Sequence, residues 1–170
     1  MASQTKVVML LILATAGAAL AAAHHIVKVL PAKTVFPKNC PTGWTFYSGR
    51  CYLYNAARLD WASAEKFCQK FDAHLVSIHS ENEYQRIKAL IHTHDPTAYP
   101  TYIGLSGCQK PKHFFWSDGT KLTFTKWNPG EPNNVKKREG CVHMNWSSYK
   151  NWNDIPCDKS YPSVCAKKSG

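Results

Sequence analysis

The chain has 170 residues, of which 44% are hydrophobic, and a formal net charge of +10. This length suits one domain with short extensions and is long enough to bury a core. The positive charge favours anionic partners such as sulfated glycans or microbial envelopes, but a solvated basic surface explains it equally well, so charge alone identifies no partner.

The first 23 residues have the form of a secretory signal. Lys6 supplies the positive start, residues 7–13 the apolar centre, and the alanines of 19–23 a small-residue cleavage site. An uncleaved membrane anchor is the alternative, but residues 7–23 are Ala-rich and fall short of the roughly 20 strongly apolar residues that a span needs. We therefore predict a secreted, extracellular protein with no membrane insertion. Residues 24–39 carry two prolines and no clear period, which predicts an N-terminal arm or linker.

Two helices are predicted after an initial hairpin. Apolar and polar residues alternate over 40–54, which predicts the hairpin. Asp60 stands as the N-cap of a first amphipathic helix, and the capping box at 80–83 begins a second helix that ends near His92. Two histidines follow at a spacing of two, which places them on different helix faces and argues against a metal site there.

The second half of the chain predicts short strands. They are expected at 102–105, in a hairpin over 114–127, and at 141–146 and 161–166. The aromatic residues of 114–127 alternate like a half-buried sheet and lack interleaved basic residues, so core packing is favoured over nucleic-acid binding. Few helices beside many short strands indicate an α+β fold.

Five oxygen-bearing side chains gather in two short segments near the carboxyl end. They are Glu131, Asn133, Glu139, Asn153 and Asp154. Carboxylates and amides without soft donors suit Ca²⁺, which takes about six to eight oxygens. Five side chains cannot fill that shell, so water, backbone or the hydroxyls of a ligand must complete it. No nucleophile, base and orienting group fall into a recognisable arrangement, and no HExxH motif is present, so we predict that the protein is not an enzyme.

These segments resemble the carbohydrate-recognition domain of C-type lectins. The resemblance rests on Glu131-Pro132-Asn133, on Glu139 two residues before Cys141, and on Trp152-Asn153-Asp154 before Cys157. It extends over 40–168 through Cys40-Pro41-Thr42-Gly43-Trp44, Trp116-Ser117-Asp118-Gly119 and Val164-Cys165. It implies a C-type lectin-like fold with two helices, two small antiparallel sheets stapled by disulfides, and a long irregular ligand-binding loop region.

The resemblance also implies roles for the five side chains. All five would ligate one Ca²⁺, and all except Asp154 would also bond sugar hydroxyls. The peptide bond before Pro132 would be cis. The order Glu131 then Asn133 resembles the mannose-type arrangement, whereas Gln-Pro-Asp would have implied galactose.

Seven cysteines in a secreted chain indicate a disulfide framework. Six cysteines allow about 15 pairings, so the sequence alone does not choose among them. The resemblance implies the pairs Cys40–Cys51, Cys68–Cys165 and Cys141–Cys157. Cys108 is left over and is a candidate for an interchain bond in a homodimer. Asn145-Trp146-Ser147 is a possible glycosylation sequon.

The leading hypothesis is a small secreted lectin that binds terminal sugars through Ca²⁺, with a role in agglutination or innate defence at microbial or mucosal surfaces. Lys136-Lys137-Arg138 lies in the same loop and could weaken Ca²⁺ binding, which keeps open a galactose- or lactose-binding lectin with little Ca²⁺ dependence. Ice binding, as in type II antifreeze proteins, is a third possibility. The absence of a cysteine partner for Cys108 counts against it.

Overall fold

The computed structural model describes residues 40–110 and 112–170, so the predicted signal peptide (1–23) and arm (24–39) lie outside the described residues. The described chain has two α-helices and eight strands. Neither helix is long and apolar enough to cross a membrane. In chain order the elements are β1 (Thr45–Tyr47), β2 (Arg50–Leu59), α1 (Trp61–Gln69), β3 (His74–Leu75), α2 (Glu81–His94), β4 (Thr101–Ser106), β5 (Phe115–Trp116), a 3-10 turn (Val135–Lys137), β6 (Cys141–Trp146), β7 (Asn151–Ile155) and β8 (Tyr161–Lys168).

Both predicted helix starts are confirmed. The Asp60 carboxylate accepts a hydrogen bond from the backbone N–H of Ser63 at 2.9 Å, and Ser80 Oγ accepts one from Glu83 N–H at 3.2 Å. These caps satisfy donors that the first turn of a helix leaves unpaired. The second helix ends at His94, two residues beyond the predicted end.

The strands form one sheet in the order β1-β2-β8-β4-β6-β7, with β3 on β8 and β5 on β4. All pairs are antiparallel except β4 with β8, where Tyr102 lies opposite Ser163. The α+β class is confirmed. The two expected antiparallel sheets correspond to β1-β2-β8 and β4-β6-β7, and the parallel contact joins them into one sheet.

The predicted hairpin over 114–127 does not form. Only Phe115 and Trp116 are in a strand, β5, and that strand pairs with β4. Leu122 and Phe124 instead pack against the main core, and Trp127 makes an isolated bridge with Trp152. The alternating pattern therefore reflects side chains packed on the core rather than paired strands.

Trp152 lies at the centre of the core below the ligand-binding loops. It is fully buried, and its ring lies 5.8 Å from those of Trp116 and Trp127 and 5.9 Å from that of Phe124. Edge-to-face packing of this kind adds to the burial of large aromatic surfaces, and removal of such a side chain costs about 3–5 kcal/mol. Because Asn153 and Asp154 follow Trp152 on β7, the core fixes their positions.

Three disulfides join the pairs that the resemblance implied. Cys40 bonds Cys51, Cys68 bonds Cys165, and Cys141 bonds Cys157. The third bond joins the start of β6 to the segment after β7. Because β6 and β7 are antiparallel, it holds the two strands together at the end of the pair opposite their connecting turn.

Candidate functional site

Asp154 anchors the loop that carries the other candidate ligands. Its side chain is almost fully buried on β7, where Oδ1 accepts a hydrogen bond from Asn133 N–H at 3.0 Å and Oδ2 one from Asn134 N–H at 2.9 Å. Hydrogen bonds to a carboxylate are stronger than neutral ones. They hold residues 133 and 134 against the strand.

Glu131 and Asn133 lie side by side across a cis peptide bond between Glu131 and Pro132. The Asn133 side-chain amide donates to Glu131 Oε1 at 2.9 Å, and the Asn133 backbone N–H lies 3.1 Å from Glu131 Oε2. The acceptor and the donor expected to contact a sugar are therefore adjacent in space.

Glu139 closes the same loop. Its Oε2 accepts a hydrogen bond from Val135 N–H at 2.7 Å, and its own N–H donates to Asn134 Oδ1 at 3.1 Å. Together with the contacts of Asp154, these bonds connect Glu131, Asn133, Glu139 and Asp154 in one hydrogen-bonded loop.

Asn153 is held from beneath by His143, a residue that the sequence reasoning did not identify. The two lie opposite each other on β7 and β6, and the Asn153 Nδ2 is 3.1 Å from His143 Nε2. Burial lowers the pKa of His143 to about 3, so the ring is neutral near pH 7 and its Nε2 can accept this hydrogen bond. Asn153 Oδ1 accepts no hydrogen bond from the described residues and is available to a ligand. A lone polar residue between Val142 and Met144 was the only sequence signal.

The carboxylates repel one another. Burial, and then the neighbouring Asp154, raise the pKa of Glu131 to about 7. Burial also raises the pKa of Glu139, with Asp154 adding to the shift. A divalent cation among these groups would favour their charged forms.

The donor set fits Ca²⁺ by its chemistry and by its hydrogen-bonded loop. Ligands of one Ca²⁺ lie about 2.3–2.6 Å from it, hence within about 5 Å of each other. In the described structure the three carboxylates are not all that close to one another. Among the described residues, one set of three potential metal-ligating side chains (Asp, Glu, His or Cys) has its ligand atoms within 4.8 Å of one another, and that set is Cys108, Cys141 and Cys157. The three carboxylates would have to draw closer together around the ion.

Cys108 is an exposed free thiol beside a disulfide. Its Sγ lies 3.1 Å from Cys157 Sγ and 3.7 Å from Cys141 Sγ. The nearest backbone on its other side is Gly140, where an added Cβ would lie 2.9 Å from the thiol. No cysteine stands there, so the chain offers Cys108 no disulfide partner that is not already paired.

Asn145 is a poor acceptor for a glycan in this fold. It is 2% exposed, and both polar atoms of its amide are buried. A glycan attached to Nδ2 would displace the surrounding core. The burial of Asn145 therefore argues against glycosylation of the sequon, which stays a prediction.

This fold, with its loop of oxygen donors, is that of a carbohydrate-recognition domain. The family model for the lectin C-type domain matches residues 57–167. The chain is 43% identical to the lactose-binding lectin l-2 of Anguilla japonica over 130 residues, which are 74% of this chain and 76% of that protein. The chain belongs to the C-type lectin family, so it is a carbohydrate-binding protein and not an enzyme.

Two solved structures show how calcium use varies on this fold. A Ca²⁺-dependent type II antifreeze protein in its Ca²⁺-free form has 39% identity and a TM-score of 0.71, over 76% of this chain and 100% of that one. A calcium-independent type II antifreeze protein has 33% identity and a TM-score of 0.69, over 78% of this chain and 96% of that one. Calcium dependence must therefore be argued from the side chains.

Proposed function

We propose that the protein is a secreted lectin that binds terminal mannose-type sugars through one Ca²⁺. The metal ligands are Glu131, Asn133, Glu139, Asn153 and Asp154. The observation that carries the proposal is that four of these five residues are joined in one hydrogen-bonded loop, while the fifth, Asn153, lies next to Asp154 on the adjoining strand with its amide nitrogen against His143.

The bound ion would supply a positive centre that two vicinal sugar hydroxyls complete. Four residues, all ligands except Asp154, then have a second polar atom for those hydroxyls. Glu131 accepts a hydroxyl proton and Asn133 donates an amide proton, which is the mannose-type order. Asp154 is given no sugar contact, because its carboxylate is almost fully buried and holds the backbone N–H groups of Asn133 and Asn134, which leaves its remaining lone pairs to the ion.

Chromatography on immobilised mannose tests the calcium bridge. We expect retention with Ca²⁺, release by a chelator, and release by free mannose at lower concentration than by lactose. Retention on mannose in the presence of chelator would overturn the bridge.

An exchange of side chains tests the specificity. Glu131→Gln with Asn133→Asp should shift preference toward galactose, because it reverses the order of acceptor and donor. Asp72→Asn is the matched control, because it changes an exposed carboxylate to an amide outside the site. The backbone of Asp72 has a φ of +52°, and asparagine tolerates this left-handed conformation. An unchanged glycan-array profile in the exchanged variant would place the sugar elsewhere.

A galactoside lectin with little calcium dependence is the second candidate. The 43% identical relative is described as lactose-binding, and three cations adjoin the proposed metal site at positions 136–138. Release by lactose and retention without calcium would favour it. Ice binding, as in the type II antifreeze relatives, predicts thermal hysteresis.

We further propose agglutination or innate defence at microbial or mucosal surfaces as the role, with a Cys108-linked dimer as its form. Each monosaccharide site is shallow and should bind weakly. Two linked sites can bind a surface far more tightly than one, provided that both reach it together.

A further inference from the structure

Three consecutive cations occupy the loop beside the proposed sugar site. The side chains of Lys136, Lys137 and Arg138 are exposed, and none has an ion-pair or hydrogen-bond partner among the described residues. Other basic groups do find partners, such as Lys126, which lies 3.0 Å from Glu81. The three cations are therefore available to an external anion.

The proposed metal ligands themselves hold this basic loop in place. Asp154 binds the N–H of Asn134, and Glu139 binds the N–H of Val135, at the start of the turn. Lys137 N–H closes the turn on Asn134 O at 2.9 Å. The cations thus have a fixed placement relative to the sugar site.

The backbone of the loop adopts conformations that its residues disfavour. Lys136 and Lys137 have φ of +55° and +59°, in the left-handed region. A left-handed backbone conformation is unfavourable for lysine, whose side chain cannot offset the cost as asparagine or aspartate can by a local hydrogen bond. Residues other than glycine in such conformations concentrate at functional sites. Lys137, together with the next residue, Arg138, lines a cavity.

That cavity has a volume of about 330 Å³ and mixed charge. Lys137 and Arg138 line one side together with Glu139, while Cys108 and Asp158 lie among its other walls. Water occupies about 30 Å³ per molecule in the liquid, so a sulfate or carboxylate group fits with hydration to spare. Glu139 belongs to both the cavity and the proposed metal site, which makes the two neighbours.

We propose that Lys137 and Arg138, with the exposed Lys136 beside them in the chain, form a subsite for the anionic group of an acidic glycan, namely a sulfate or a sugar carboxylate. This inference rests on the proposed function, because the neighbouring neutral sugar occupies the Glu131–Asn133 site. Guanidinium and ammonium groups recognise such anions by charge-assisted hydrogen bonds. The subsite selects among glycans that carry the same mannose-type terminus.

The test compares one oligosaccharide in neutral, sulfated and sialylated forms by surface plasmon resonance with Ca²⁺ present. Wild type should bind at least one acidic form about tenfold more tightly than the neutral form, and this preference should weaken as salt rises. Lys137→Gln with Arg138→Gln should abolish the preference and leave neutral-glycan affinity within about twofold of wild type. Whichever acidic form shows the preference identifies the source of the anion.

Lys66→Gln with Lys70→Gln removes the same charge away from the loop, at an exposed residue of α1 and at the exposed C-cap that follows the helix. The preference for acidic glycans should persist in this control. Equal wild-type affinity for all three forms, or an equal loss of preference in the control, would overturn the subsite. Acidic binding that requires Lys137 and Arg138 without any neutral-glycan binding would instead overturn the mannose-type site and keep the subsite.

Discussion

His143→Phe should weaken calcium binding without unfolding the domain. In the structure His143 Nε2 lies 3.1 Å from the amide of Asn153, and this contact holds Asn153 with Oδ1 free for the ion. Phenylalanine keeps a ring in the same buried place, where the His143 ring stacks on Trp146 at 5.4 Å and packs edge-to-face with Tyr161 at 4.9 Å. It cannot accept the amide proton.

Two opposing effects set the size of the change in stability. The substitution leaves the Asn153 Nδ2 without its partner, which costs about 1–3 kcal/mol for a buried donor. It also removes His143 Nδ1, which is buried without a hydrogen-bond partner, and so recovers a similar amount. The free energy of unfolding without metal should therefore stay within about 1 kcal/mol of wild type.

Calcium affinity has no such compensation. A hydrogen bond that orients a metal ligand is typically worth tenfold to a hundredfold in affinity, and this one positions a single ligand of five, so we expect a loss of about tenfold. Isothermal titration with Ca²⁺ at neutral pH measures the affinity, and urea unfolding in chelator measures the stability of the same samples.

His143→Gln is the control, because its side-chain carbonyl can accept the amide proton that the imidazole accepted. It should recover most of the calcium affinity. Wild-type affinity in His143→Phe would refute the positioning role. Equal losses in the Phe and Gln variants would show that the imidazole ring, rather than its acceptor, matters.

Three further predictions concern protonation, thiol chemistry and glycosylation. The pKa of Glu131 is raised to about 7, and Ca²⁺ binds its charged form, so calcium affinity should fall toward tenfold for each pH unit below about 7. Calcium titrations at several pH values measure this dependence, and Glu131→Gln should remove the part that Glu131 causes. Proton-independent binding would contradict this. Non-reducing electrophoresis should show a dimer that Cys108→Ser converts to monomer, and a peptide map with Cys108 linked to Cys157 would instead indicate exchange with the neighbouring disulfide. Because Asn145 is buried, glycosidase treatment of secreted protein should leave its mass unchanged, and a released N-glycan from Asn145 would mean that β6 ends differently from the structure.

The candidate site could be proposed from the sequence because its residue types carry the chemistry. Oxygen donors can be recognised without coordinates, and the resemblance placed Glu131, Asn133, Glu139, Asn153 and Asp154 in one arrangement. The N-caps Asp60 and Ser80 were predictable for the same reason, since a cap depends on a local hydrogen bond.

Non-local contacts were not predictable in this way. A period of two over 114–127 cannot distinguish a paired strand from a chain that lies across Trp152, and the structure shows the second arrangement. His143 became visible only when β6 and β7 were paired in register. The joining of two ladders depends on Tyr102 opposite Ser163, a contact between residues far apart in sequence.

The double use of Asp154 and Glu139 determines how a chelator experiment should be read. Both carboxylates hold the 133–139 loop through backbone N–H groups, and these hydrogen bonds join protein atoms only, so we expect the backbone at 136–138 to keep its place when calcium is removed. Without calcium, however, the charge of Glu139 opposes an anion in the neighbouring cavity. An acidic glycan should therefore retain weakened binding in chelator while a neutral mannose-type sugar is released. Residual binding of acidic ligands is then consistent with a calcium bridge for the neutral sugar, and only the neutral ligand tests that bridge.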